Sequence, residues 1–383
     1  MKKILQFLSY VMVAALASAV TCFFCLRQDA GMAKLEQLRS LIDDCYIGDV
    51  EETALYDAAA SAMVLATGDR WSYYIPAAQL QSHVDNKANS YVGVGISITV
   101  REDGQGFDIV QVAKGSGAQE AGVLPGDILT HVEGVSVAEE GLDGASERIV
   151  GDPGTTVDIT VLRKGQAMDF TLERRRLQVE VVSWQMLEDN IGYIKIANFN
   201  SRCATESVQA IKALREQGAQ ALIFDVRNNG GGYKDEMVRL LDYLLPEGPL
   251  FRSEDYTGAV EVDESDASFL DMPMAVLVNA NSYSAAELFA AALDEYEAAT
   301  VVGERTTGKG HFQVTYQLRD GSAVNLSIGR YTTPNGVNLD GVGLTPDIVV
   351  DVTDEVEMEI YYGNVDVAED PQIQAAMDAL RNP

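Results

Sequence analysis

A serine and a lysine offer the clearest chemistry in this 383-residue chain: Ser284, inside the stretch 279–287 (NANSYSAAE), and Lys309, set between Gly308 and Gly310. A serine hydroxyl becomes a nucleophile only when a neighbouring base takes its proton. An unperturbed lysine, with a pKa of about 10.4, is neutral only about 0.04% of the time at pH 7. Lowering that pKa to about 8 raises the neutral fraction to roughly 10%, at a cost near 3 kcal/mol that burial can impose. A serine–lysine site must therefore be apolar and closed. His311 is a rival base, because histidine is the usual first choice. If residues 309–313 are extended, Lys309, His311 and Gln313 share one face, and the spacing does not separate them. Ser284 also has a purely structural reading, since with Glu287 it fits the S-x-x-E capping box.

The elements around Ser284 suit either role. Residues 274–278 (MAVLV) read as a buried strand, and 285–299 as a helix from its strong formers and lack of Gly or Pro. The serine thus falls where a strand ends and a helix begins. Unpaired backbone N–H groups and the positive end of the helix dipole favour negative charge there, as an oxyanion hole requires. The segment 177–353 alternates strand and helix: strand 191–196, helix 204–217, strand 219–226, the turn Arg227-Asn228-Asn229-Gly230-Gly231-Gly232 and helix 234–244, with a later hairpin of 312–318 and 323–327. A phosphate-binding reading of 303–309, which spells G-x-x-x-x-G-K, fails. Gly310 stands where a P-loop needs Ser or Thr, and a β-rich stretch follows where a helix must start. No G-x-S-x-G elbow is present.

Upstream, residues 90–176 change to short strands and glycine turns, with strands expected at 91–100, 107–112, 128–132 and 157–162 and a short helix at 142–150. Gly115-Ser116-Gly117-Ala118 and Ala121-Gly122-Val123-Leu124-Pro125-Gly126-Asp127-Ile128 resemble the G-S-P-A…A-G-L-x-P-G-D-x-I pattern of PDZ domains, with Gly117 in place of the usual proline. The resemblance implies that Val94, Gly95 and Ile96 form the loop whose amides receive a peptide's C-terminal carboxylate while the peptide adds a strand to the sheet edge. On residue type alone, Gly93 and Gly95 permit a bulge. Residues 31–89 carry helical patterning (Leu35, Leu38, Leu41, Ile42) and close on the cluster Trp71-Ser72-Tyr73-Tyr74, read as packing. Residues 354–383 form an acidic tail whose last helix, 371–380, is expected to pack on the core or support a homodimer.

Composition limits the partners. The 28 Lys and Arg against 58 Asp and Glu give a formal charge of −30, which repels nucleic acid phosphates. Lys2 and Lys3 precede 23 uncharged residues, 4–26, long enough as a helix (about 35 Å) to cross a bilayer. The expectation is a membrane anchor with the remainder outside the cytoplasm, or secretion if the segment is cleaved as a signal peptide. Cys22 and Cys25 lie in the apolar run. Cys45 and Cys203 alone make no disulfide framework, and no spacing suggests a metal site.

Taken together, Ser284-Ala285-Ala286-Glu287, Val302-Gly303-Glu304, Gly308-Lys309-Gly310 and Gln313, with the turn from Asp225 through Gly232 and the closing Gly341-Val342-Gly343-Leu344-Thr345-Pro346-Asp347-Ile348, resemble the carboxyl-terminal processing peptidases, or tail-specific proteases, over most of the chain. The resemblance implies a multidomain α+β protein: membrane helix (1–30), small helical region (31–89), PDZ β-domain (90–176), α/β protease core (177–353) and C-terminal tail. It makes Ser284 the nucleophile, Lys309 the base and Gln313 the group that orients Lys309. The amides of Ala285 and of Gly231 or Gly232 would form the oxyanion hole, with no cofactor. His311 falls on a variable position. Glu295 stands where the family often has Asp, 11 residues after the serine. The expected activity is serine endopeptidase action on proteins or peptides with free C-termini. The alternative is a catalytically silent adaptor that tethers partners through its PDZ domain.

Overall fold

The computed structural model describes residues 30–101, 103–362 and 365–381. The chain falls into two compact units divided between Gly68 and Asp69. In the first, helices Ala30–Cys45 and Glu52–Leu65 follow the expected helical spacing, and Arg39 bonds Glu52 across them at 2.7 Å. Neither helix contains a buried residue. The apolar run 4–26 lies outside the described residues; among those described, no helix is long and apolar enough to cross a membrane.

In the second unit, the expected strand 91–100 is broken at Val94 and Gly95. Ser90–Gly93 pairs with Arg175–Gln178, whereas Ile96–Val100 pairs with Phe107–Val112. Ile96–Val100 is the first strand of an antiparallel sheet continued by Phe107–Val112, Ile128–Val132, Thr156–Arg163 and Gln166–Glu173. Val94, Phe107, Ile109, Leu129, Val161 and Leu172 fill its core. The departure from the usual motif at Gly117 has a local cause. A Cβ there would lie 2.2 Å from the Glu173 carbonyl oxygen, so the last strand of the sheet runs too close for any side chain. The helix expected at 142–150 starts earlier, at Val137, and kinks at Gly141 before ending at Ile149.

The largest core surrounds a six-stranded sheet ordered Val182–Met186, Ile191–Ile196, Ala221–Asp225, Met274–Val278, Ala299–Gly303, Ile348–Val349. The first pair is antiparallel and the rest parallel. All five residues of Ala221–Asp225 and of Met274–Val278 are buried, as parallel strands covered on both faces require. Helices Cys203–Glu216, Lys234–Leu244 and Ala285–Glu295 contribute to the core on one face. On the other face, Ile373, Ala376 and Met377 of helix Pro371–Arg381 pack with Tyr193, Ile223, Leu277 and Val302.

A second sheet stands beside it, ordered Tyr73–Ile75, Ala323–Thr332, Gly248–Asp255, Val260–Ser265, with His311–Gln317 also paired to Ala323–Thr332. Two features of this sheet are absent from the sequence reading. The hairpin Gly248–Asp255 with Val260–Ser265 lacks a strong apolar alternation. The segment Tyr73–Ile75, read with the N-terminal helices, pairs instead with Ala323, Val324 and Asn325. That pairing brings Trp71 to Tyr283, next to the serine, and Ser72 to Ser327.

Candidate active site

Ser284 begins helix Ala285–Glu295 at φ 61° and ψ −123°, backbone angles that glycine adopts freely and a serine adopts only under constraint, at about 1–3 kcal/mol. The constraint is visible. Tyr283 N–H donates to the Asn229 carbonyl at 3.1 Å, Ser282 Oγ to the Val226 carbonyl at 2.7 Å, and Thr307 N–H to the Ser282 carbonyl at 3.1 Å. The elbow is thereby held by the glycine turn on one side and the lysine loop on the other. Ser284 N–H donates to Glu287 Oε2 at 3.0 Å, so the capping reading is realised. The same carboxylate does more. Fully buried, it also accepts from Thr306 Oγ1 (2.5 Å), Gly308 N–H (2.6 Å) and Lys309 N–H (2.9 Å). Glu287 therefore ties the serine's helix to the lysine's loop.

Lys309 is 9% exposed and makes no ion pair or side-chain hydrogen bond among the described residues. Its Nζ lies 4.6 Å from the centre of the Trp71 ring and 5.9 Å from that of Tyr283. Burial, reinforced by the charges of Lys87 and Arg70 and opposed by Asp69 and Glu287, pushes its pKa down to about 8. The amine is then neutral in roughly one molecule in ten at pH 7. Buried Tyr331 donates its hydroxyl to the Lys309 carbonyl at 2.5 Å and lies beside the Ser284 side chain. Burial pushes the Tyr331 phenol well up, so it remains a neutral donor. No hydrogen bond joins the Ser284 hydroxyl to Lys309 Nζ in this arrangement.

Gln313 and His311 take separate directions. Gln313 Nε2 donates to the His311 carbonyl (3.0 Å) and to Ser327 Oγ (2.9 Å), and Ser327 N–H donates to Ser72 Oγ (2.9 Å). The strand carries a register shift between Phe312 and Gln313, which breaks simple alternation along it. His311 Nδ1 lies 3.2 Å from Asp340 Oδ1. Glu295 bonds Thr333 Oγ1 at 2.5 Å and Asn335 N–H at 2.7 Å, a turn-capping role that occupies both oxygens.

The glycine turn comes very close to the serine. A Cβ on Gly231, whose φ is +84°, would lie 2.8 Å from Ser284 Cβ and 2.9 Å from the Ala285 nitrogen, so only glycine fits. Gly231 N–H donates to Asn229 Oδ1 at 2.8 Å. The amide of Gly232 has no acceptor among the described residues, and Ala285, in the first helical turn, has none within its helix. Behind the turn sits a buried polar network: Arg227 pairs with Asp225 (2.7 Å) and Asp370 (2.8 Å), and Tyr193 OH donates to Asp225 (2.6 Å). Burial alone would raise the Asp225 carboxyl, but Arg227 and these donors hold it below its ordinary value. Val94, Gly95 and Ile96 lie in the other domain and share no hydrogen bond with this cluster.

Residues 190–350 match the family described as "Peptidase family S41", and residues 109–163 match "PDZ domain". The chain carries a family S41 peptidase domain joined to a PDZ domain. A "Probable CtpA-like serine protease" of Staphylococcus saprophyticus is 31% identical over 320 residues, which cover 82% of this chain and 65% of the relative. Its counterpart in Staphylococcus aureus strain N315 is 29% identical over 326 residues, or 84% and 65%. The chain thus spans about two-thirds of the length of these relatives, 65% in each case. A solved structure from Bacteroides fragilis classed with the S41 proteases is alike in fold at TM-score 0.54 and 16% identity, covering 88% of this chain and 92% of that one.

Around the candidate site, sequence reasoning missed Trp71, Lys87 and Tyr331, and it understated Glu287; Trp71 and Lys87 lie outside the residues matched to the S41 family. Trp71 was assigned to packing; it packs, and what it packs against is the candidate site, with its ring 5.4 Å from that of Tyr283. Its aromatic character was the available signal. Its destination depended on a strand pairing across most of the chain.

Proposed function

We propose that this chain is an extracytoplasmic serine endopeptidase of the carboxyl-terminal processing type, acting through Ser284 and Lys309. The observation that carries this reading is the Lys309 amine: buried, unpaired and depressed to about 8, on a residue whose backbone N–H is bonded to Glu287 of the helix that Ser284 begins. Neutral Lys309 takes the Ser284 proton as Oγ attacks the scissile carbonyl carbon. The resulting oxyanion lies on the amides of Ala285 and Gly232, and Gly231 joins them if Asn229 releases its N–H. The Lys309 ammonium then protonates the leaving amine, giving an acyl-serine. Water, deprotonated by the same amine, hydrolyses that ester. Gln313 has its Nε2 engaged twice, which leaves its carbonyl oxygen to accept from Lys309. Substrate entry would bring Ser284 and Lys309 into hydrogen-bond contact, as catalytic hydrogen bonds commonly tighten only in the substrate complex.

The edge strand Ile96–Val100 would accept a substrate C-terminus as an added strand, with Val94, Gly95 and Ile96 receiving its carboxylate. Residues 4–26 would anchor the protein in the membrane. The test is cleavage of an unfolded protein with product mapping. Ser284→Ala and Lys309→Ala should each lose at least about 1,000-fold in kcat; full proteolysis by either variant would remove the serine–lysine assignment. Amidating the substrate's C-terminus should slow cleavage, and an unchanged rate would remove carboxylate capture by the PDZ domain.

A further inference from the structure

A chain with 58 acidic and 28 basic residues gathers three cations around the Lys309 site, and none of them has an ion-paired carboxylate among the described residues. One is Lys309. The second is Lys87, the last residue of helix Ala77–Lys87, half-buried with its Nζ 5.9 Å from the centre of the Tyr233 ring. Tyr233 directly follows the glycine turn, and its N–H donates to the Phe199 carbonyl at 2.8 Å. The third is Arg70, whose guanidinium lies 4.2 Å from the centre of the same Trp71 ring that faces Lys309. The nearby carboxylates are all committed elsewhere. Asp69 accepts from Trp71 N–H (3.0 Å) and Ser72 Oγ (2.6 Å). Asp85, on the helix of Lys87, bonds Gln81 at 2.8 Å and pairs with Arg176. Glu287 is filled by its own donors.

Leaving a half-buried ammonium unpaired costs free energy, and burial accordingly lowers the Lys87 pKa. Such a charge is well placed to gain a partner that arrives with the substrate. Resting on the peptidase reading above, we infer that Lys87, assisted by Arg70, forms a carboxylate-binding subsite beside Ser284, which selects peptides carrying a carboxylate close to the scissile bond. The ring faces of Tyr233 and Trp71 lie against these two cations and would flank the bound carboxylate. This charge is the local exception in a molecule whose net field repels acidic chains.

The test uses the full chain and one peptide sequence in three forms: neutral with an amidated C-terminus, neutral with a free C-terminal carboxylate, and amidated with one Asp placed near the mapped scissile bond. The readout is the ratio of kcat/KM for each acidic form to the neutral form, which does not depend on the active fraction of enzyme. Wild type should favour one or both acidic forms by about tenfold. Lys87→Gln should lower that ratio severalfold from its wild-type value, any preference due to PDZ capture remaining, and Lys87→Arg should restore it. Loss confined to the free-acid peptide identifies the C-terminal carboxylate as the ligand, and loss confined to the Asp peptide identifies a side chain. PDZ capture of a C-terminus is common to all three enzymes and cancels in the comparison. No preference in wild type, or the same preference in Lys87→Gln, overturns the subsite. Failure of wild type to cleave any peptide or an unfolded protein would instead overturn the peptidase reading itself.

Discussion

Lys309 is where the chemistry and the stability of this protein oppose each other. Its folded-state pKa of about 8 lies below the ordinary 10.5, so between those values the unfolded chain holds the proton more tightly than the folded one. The resulting penalty is fully present below about pH 8 and disappears as pH rises toward 10.5. Lys309→Met keeps most of the side-chain volume and removes the charge. It should therefore stabilise the fold at pH 7 by on the order of 3 kcal/mol while abolishing activity. Urea denaturation at pH 7 and pH 10 checks this, with the gain at pH 7 shrinking at pH 10; a variant destabilised at both would contradict it. Ser284 and Lys309 were legible in the sequence because each sits inside a short motif of small residues. Trp71 and Tyr331 were not, because nothing near them in the chain says that they meet the lysine. Lys87 looks like any solvated lysine at a helix end until its neighbours are known.

At the scale of elements, the site is a junction of three segments: the serine elbow, the glycine turn and the lysine loop. Glu287 joins the first and last through four accepted hydrogen bonds. In Glu287→Gln one oxygen is replaced by an NH2 that faces donors, so two buried N–H or O–H groups lose their acceptor. The expected cost is about 3 kcal/mol in urea unfolding, with a fall in kcat of about 100-fold and a smaller change in KM. Unchanged stability would show that the carboxylate is not the tie described above. The strand and helix flanking Ser284 and the helix Lys234–Leu244 were readable from apolar runs and strong helix formers. The broken strand at Val94 and Gly95 was not. Its two halves have one continuous pattern but pair with different partners, and pairing is a non-local property.

For the whole molecule, the helix Pro371–Arg381 matters more than its acidic surroundings suggested. It covers Tyr193, Ile223, Leu277 and Val302, and the preceding Asp370 neutralises Arg227 at the root of the glycine turn. A chain ending at residue 369 would expose that apolar face and leave Arg227 with one carboxylate instead of two. It should be found largely in the insoluble fraction or as high-mass aggregate by size exclusion, and a monodisperse, active product would contradict this. The alternation of strand and helix announced the α/β core. The second sheet remained hidden because Tyr73–Ile75 and Ala323–Thr332 meet only in the fold. The measurement that tests the central claim most directly is the pH dependence of kcat/KM in wild type and in His311→Asn. With Lys309 as the base, activity requires the neutral amine. The profile should rise tenfold per pH unit up to an apparent pKa near 8 and keep that limb in the variant. A limb in the ordinary histidine range, around 6.5, that disappears in His311→Asn would contradict the account.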